Sequence, residues 1–162
     1  MKLRLLVALA LAGASFAQTN ALRPKSKGYV TTDVMPTVTL QAGKTAQVEV
    51  RFRVNPGYHV NSHTPGSELL IPTALDFKPL EKIKAGKIIY PPAEQLALPF
   101  DPKEKLSVYT GDIVTQVPVV AAKSAVPGQY SLKGDLQYQA CNDNSCFPPK
   151  SLPVEITVVV KK

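Results

Sequence analysis

The chain has 162 residues, a net charge of +7, 15 prolines, 9 glycines and only 2 cysteines. That length suits a single domain behind a leader, and no second domain, internal repeat or low-complexity tract is visible. The lysines are scattered with no aromatic platform between them, which excludes a nucleic-acid site; no stretch after the leader sustains an apolar helical period, which excludes a helical bundle.

In chain order, Met1 to Ala17 reads as a signal peptide. Lys2 and Arg4 form a basic start, Leu5 to Ala12 an apolar core, and Ser15-Phe16-Ala17 a small-residue cleavage site. The apolar run is too short to span a bilayer comfortably, so cleavage near Ala17 and export are expected, with no integral membrane segment in the mature chain. No lipidation cysteine follows. Two thiols in an oxidising compartment can persist as a disulfide, which agrees with a periplasmic or otherwise exported location. Residues 18–27 are polar and basic and read as a flexible amino-terminal segment. The domain proper is expected over 28–162.

Short strands and frequent turns predict an all-β sandwich. A first strand region runs from Tyr29 to Leu40, broken by Pro36, which suggests a sheet edge. The clearest strand follows. Val48, Val50, Phe52 and Val54 face one way, and Gln47, Glu49, Arg51 and Arg53 the other. Asn55-Pro56-Gly57 ends it as a turn. Tyr58 to Ser62, Ile71 to Phe77 and Lys87 to Tyr90 read as further extended pieces. Pro91 to Lys105 reads as a long functional connection, too mixed for a hairpin turn. Leu106 to Tyr109 and Ile113 to Ala121 flank the turn at Thr110-Gly111-Asp112. Ala125 to Gly128 is the turn before the last pair of strands.

That last pair brackets Tyr138-Gln-Ala-Cys-Asn-Asp-Asn-Ser-Cys-Phe-Pro-Pro149. Tyr130, Leu132, Leu136 and Tyr138 point inward before it, and Leu152, Val154, Ile156, Val158 and Val160 after it. Asn142, Asp143 and Asn144 are turn formers. A turn of this length can bring Cys141 and Cys146 within disulfide reach. As a staple the bridge is weak: a loop of about six residues contributes about 2 kcal/mol. A pair so close in sequence suits a bridge that opens and closes, although a structural bridge and metal ligation are also open to two cysteines.

The same twelve residues closely resemble the active-site segment of the amino-terminal periplasmic domain of the thiol:disulfide interchange protein DsbD. Pro56-Gly57-Tyr58-His59-Val60-Asn61-Ser62 and Tyr109-Thr110-Gly111-Asp112 extend the resemblance over about residues 28–160. It implies an immunoglobulin-like β-sandwich with the cysteine pair on a hairpin at one end, and no cofactor. It also implies exchange with thioredoxin-like proteins or a membrane thiol conduit on one side and oxidised exported proteins on the other, with a link to cytochrome c maturation. Cys141 is implied as the cysteine that forms the mixed disulfide. Cys146, expected to be the shielded sulfur beside Phe147, Pro148 and Pro149, would resolve it. A capping loop is implied over Leu96 to Asp101, with Phe100 as the ring that shields the disulfide, although Leu98-Pro99-Phe100-Asp101 stands in place of the best-known family pattern of acidic and aromatic residues adjoining that ring. The chain stops at Lys161-Lys162, so on this reading it is a separately encoded module whose electron donor is another protein.

The remaining candidates flank the pair. No Lys, Arg or His lies between the cysteines, and Asp143 disfavours a nearby thiolate. That suits a relay activated on docking better than a free-standing oxidant. Pro148 and Pro149 stiffen the exit and remove two backbone donors. Tyr138 flanks the site but has inward parity, which favours core packing. His59 is a possible proton acceptor for Cys141. His59 and His63 face one way only on a helix, which Pro56-Gly57 and Pro65-Gly66 oppose, so no metal site is expected. A function of another class stays open: a non-catalytic immunoglobulin-like binding or chaperone module with a permanent Cys141–Cys146 bridge.

Overall fold

Period-two alternation builds the frame. In the computed structural model, which describes residues 28–98 and 101–162 without the side chains of 98 and 101–104, Val48, Val50, Phe52 and Val54 are buried and the residues between them exposed. The expected leader, the segment 18–27 and Phe100 lie outside the described residues. In chain order the strands are β1 (Val30–Thr32), β2 (Thr37–Gln41), β3 (Thr45–Val54), β4 (His59–Asn61), β5 (Ala74–Phe77) and β6 (Ile83–Ala85). They continue as β7 (Glu94–Leu98), β8 (Asp101–Tyr109), β9 (Asp112–Ala121), β10 (Gly128–Tyr138), β11 (Ala140–Cys141) and β12 (Lys150–Lys161).

Two sheets, β1-β3-β9-β6 and β2-β12-β10-β5, close on one core as an all-β, immunoglobulin-like sandwich. Phe52 and Ile113 enter the core from the first sheet, and Leu132, Leu136 and Ile156 from the second; all five are almost fully buried. Each such side chain contributes about 1.5–3 kcal/mol on leaving water. Pro36 divides the first strand region so that β1 and β2 lie in different sheets, each at an edge. There the ladder loses nothing to a missing amide.

The third sheet, β11-β4-β8-β7, carries the cysteine end. β10 and β12 pair without interruption from Gly128↔Val160 to Tyr138↔Lys150. The chain then leaves their sheet, pairs β11 with β4 through Ala140↔Val60 and Cys141↔His59, and returns.

Two expectations are corrected. The strand expected at Lys87 to Tyr90 is a single bridge, Ile89↔Gln116, and the ladder lies earlier, at β6. Beyond Ala85↔Val119 the partner is Pro118, which accepts from the Gly86 amide at 2.7 Å and has no amide to return the bond. The connection expected from Pro91 to Lys105 is instead the β7–β8 hairpin, with Leu96 opposite Leu106. Most of its charged residues, Asp101 and Lys103 to Lys105, lie in the part of β8 that pairs with β7 and extends beyond the β4 ladder, where charge is tolerated and discourages further pairing.

Candidate redox site

Cys141 and Cys146 form a disulfide, with Cα atoms 4.0 Å apart. The turn between them holds itself by other means. The Asn142 amide donates to the Ser145 carbonyl at 2.9 Å, and the Phe147 amide to the Ala140 carbonyl at 2.8 Å. The Asn142 side-chain oxygen accepts from the amides of Asn144 at 3.0 Å and Ser145 at 2.9 Å. This Asx-type arrangement is what an asparagine at the start of a turn provides. Gln139 clamps the base: its side chain donates to the Phe147 carbonyl and accepts from the Asn61 amide group, both at 3.3 Å. The two sulfurs are therefore held close by hydrogen bonds as well as by their own bond.

The cysteines differ in access. Cys141 is 1% exposed, whereas Cys146 is exposed. This reverses the expected order, in which Cys146 was the shielded sulfur. Cys141 sits inside β11, paired with β4, while Cys146 bridges it from the free edge of that sheet. Pro148 and Pro149 do not cover it; both are exposed.

His59 lies directly across the β4–β11 ladder from Cys141. It is 5% exposed, and its Nε2 has no hydrogen-bond partner among the described residues. Burial pushes the imidazole below its usual range, and the Asp143 carboxylate pulls partly the other way. The Asn55-Pro56-Gly57-Tyr58 turn delivers His59 there. The Tyr58 amide returns to the Asn55 carbonyl at 3.2 Å, with Gly57 at φ +83°, the left-handed third position of a type II turn.

A cavity of about 330 Å³ opens beside the disulfide. Among the described residues its walls include both cysteines, His59, Asp143 and the apolar side chains of Leu69, Leu70 and Leu106. Leu69 is 93% exposed. Sequence reasoning missed this apolar wall, because Ser67 to Leu70 carries no periodic signal and meets the cysteines only in the fold.

Phe147 turns away from the cavity. It stacks on Tyr29, ring centroids 4.6 Å apart, and meets Tyr58 edge-on at 5.9 Å; Lys150 lies over Tyr29 at 4.4 Å. This cluster anchors the exit from the turn. Tyr138 is buried in the core, where its hydroxyl bonds the Val30 backbone; burial raises it above the usual phenol range. His63 points elsewhere, stacked on Tyr90 at 3.9 Å with Nδ1 3.0 Å from the Thr73 carbonyl oxygen. Among the described residues no three His, Cys, Asp or Glu side chains cluster to hold a metal, and no helix is long and apolar enough to cross a membrane.

Residues 29–157 match the family described as "Thiol:disulfide interchange protein DsbD, N-terminal". The chain belongs to that family. It is a thiol–disulfide interchange domain carrying one disulfide. No curated protein is a significant match. Among solved structures, the reduced DsbD amino-terminal domain of Neisseria meningitidis is 21% identical, covering 72% of this chain and 80% of that one, with a TM-score of 0.46. The amino-terminal periplasmic domain of ScsB from Proteus mirabilis is 13% identical, covering 77% of this chain and 44% of that one, with a TM-score of 0.47.

Proposed function

We propose that this DsbD-type domain relays reducing equivalents through Cys141 and Cys146, from a membrane thiol conduit or thioredoxin-like donor to oxidised exported proteins. It would work in the periplasm or another exported compartment, after cleavage of the leader near Ala17. The observation that supports this reading is the disulfide itself. It spans a short turn that is already hydrogen-bonded closed, and it presents an exposed Cys146 beside an apolar cavity. A bridge so placed adds little to stability, and it can open without dismantling a sheet.

The exposed sulfur suggests the order of events. A partner thiolate attacks Cys146 Sγ, the Cys141–Cys146 bond breaks, and its electron pair leaves on Cys141. The partner's second thiolate then attacks the first partner sulfur, the partner's own disulfide forms, and Cys146 leaves as a thiolate, which frees the reduced domain. Toward an oxidised protein the steps run in reverse, and two electrons pass to the acceptor disulfide. Leu69, Leu70 and Leu106 offer a dry wall against which a partner's cysteine segment could seat. Phe100 keeps its proposed role as the shielding ring.

Reduction potential tests the function. A relay pair should equilibrate with a glutathione or thioredoxin couple above roughly −300 mV. A value well below that would leave the alternative, an immunoglobulin-like binding or chaperone module with a permanent bridge.

A further inference from the structure

Completing exchange requires a thiolate on Cys141, and the surroundings of Cys141 oppose one. It is 1% exposed, and burial disfavours a charged sulfur. None of the described residues lining the two cavities beside His59 is a lysine or an arginine. A neutral base beside the sulfur would offset that cost. His59 is the cross-strand partner of Cys141. Side chains at such positions share a face, with Cβ atoms about 4.5–5.5 Å apart. Nε2 is buried with no partner among the described residues, and His59 lines the same cavity as both cysteines. Burial keeps the ring neutral at neutral pH, the state a proton acceptor needs. Asp143, in the turn, is the charged group that faces it. On its other side β4 pairs with β8, where Tyr109 is opposite Val60 and so projects to the other face.

We propose that His59 is the general base for Cys141, a catalytic residue of the resolving step, and that Asp143 stabilises the ring once it carries the proton. The proposal rests on the exchange reading. In the forward direction, the Cys146 thiolate attacks an acceptor disulfide R–S–S–R′, forms Cys146–S–S–R and expels R′S⁻. Cys141–SH then gives its proton to His59 Nε2, with the ring's own proton on Nδ1. The Cys141 thiolate attacks Cys146 Sγ, the internal disulfide re-forms and RS⁻ leaves. Two electrons have moved from the cysteine pair to the acceptor, and the proton on His59 passes to RS⁻ or to water.

The test uses the reduced full domain and one equivalent of dithionitrobenzoate, a chromogenic aromatic disulfide. The first coloured thiolate reports attack by the protein, and the second reports resolution by Cys141. A neutral imidazole that accepts the proton during the attack makes the second phase independent of the thiolate already present, and at pH 7 that assistance should be worth at least about tenfold. In the wild-type domain the second phase should stay flat from about pH 6.5 to 8.5, where neutral His59 is available. In His59→Gln it should be at least about tenfold slower at pH 7, rise about tenfold per pH unit, and approach the wild-type rate near pH 9, while the first phase changes less than about twofold. Asp143→Asn should keep the plateau and move its acidic limb to lower pH. A wild-type second phase that climbs tenfold per unit across the whole range overturns the role of His59, even if His59→Gln does not fold. So does a His59→Gln profile that superimposes on the wild type. Absence of any second coloured thiolate, with the first released normally, would overturn the exchange reading itself and His59 with it.

Discussion

Removing the disulfide by Cys146→Ala tests whether the bridge serves stability or chemistry. The loop it closes holds about six residues, and releasing it gives the denatured chain freedom worth about 2 kcal/mol. The native state should lose little more. The turn keeps the Asn142–Ser145 and Phe147–Ala140 backbone bonds and the two bonds to the Asn142 side chain. Cys146 is exposed, so its truncation leaves no cavity. For a domain of this size the expected fall in melting temperature is roughly 5–10 °C. Cys141→Ala should cost about 1 kcal/mol more, because that side chain is buried and its loss does leave a void. Thermal melts followed by circular dichroism at neutral pH, with reduced wild type as a third sample, give all three values. The reasoning fails if Cys146→Ala loses its β-type spectrum or more than about 4 kcal/mol, or if Cys146→Ala is the more damaging of the two.

Four further outcomes are expected. Cys141→Ser should trap a thioredoxin-like partner as a mixed disulfide more readily than Cys146→Ser does, because the thiol it retains is the exposed one; a non-reducing gel decides, and the opposite ranking would restore Cys141 as the attacking cysteine. Phe100→Ala should speed reduction by a small thiol without shifting the equilibrium potential, and an unchanged rate removes Phe100 from the site. Gly134→Ala should cost about 1–3 kcal/mol in urea denaturation, since a Cβ there would lie 2.3 Å from the Asp76 carbonyl oxygen and 2.7 Å from the Phe77 ring, across the β5–β10 ladder. His59, neutral when folded and titrating near 6.5 when unfolded, contributes stability that is fully present above about pH 6.5 and is lost as the pH falls from there towards the lower folded value. Urea midpoints at pH 7.5, 6.5 and 5.5 should therefore fall more steeply for wild type than for His59→Gln, and parallel slopes would contradict the burial argument.

The sequence by itself determined the class of fold and the position of the disulfide. Alternation along β3, β9, β10 and β12 is a local pattern, and each strand's buried face could be read from its own residues. The cysteines are close because the chain between them is short and turn-prone, so their pairing did not wait on the fold. Elements bounded by partners were less legible. Nothing in Ile83 to Tyr90 announces that Pro118, far along the chain, ends their ladder, and the charges of 103–105 hide the part of β8 that runs beyond the β4 ladder. The roles within the site were the least legible. Which cysteine is covered depends on β11 leaving the β10–β12 sheet to pair with β4. Whether a histidine meets a cysteine depends on the register of two segments some eighty residues apart. A shift of one residue would turn His59 to the other face. That register is set by which side chains the whole core can bury together, a property of the assembled sheets that neither segment carries alone.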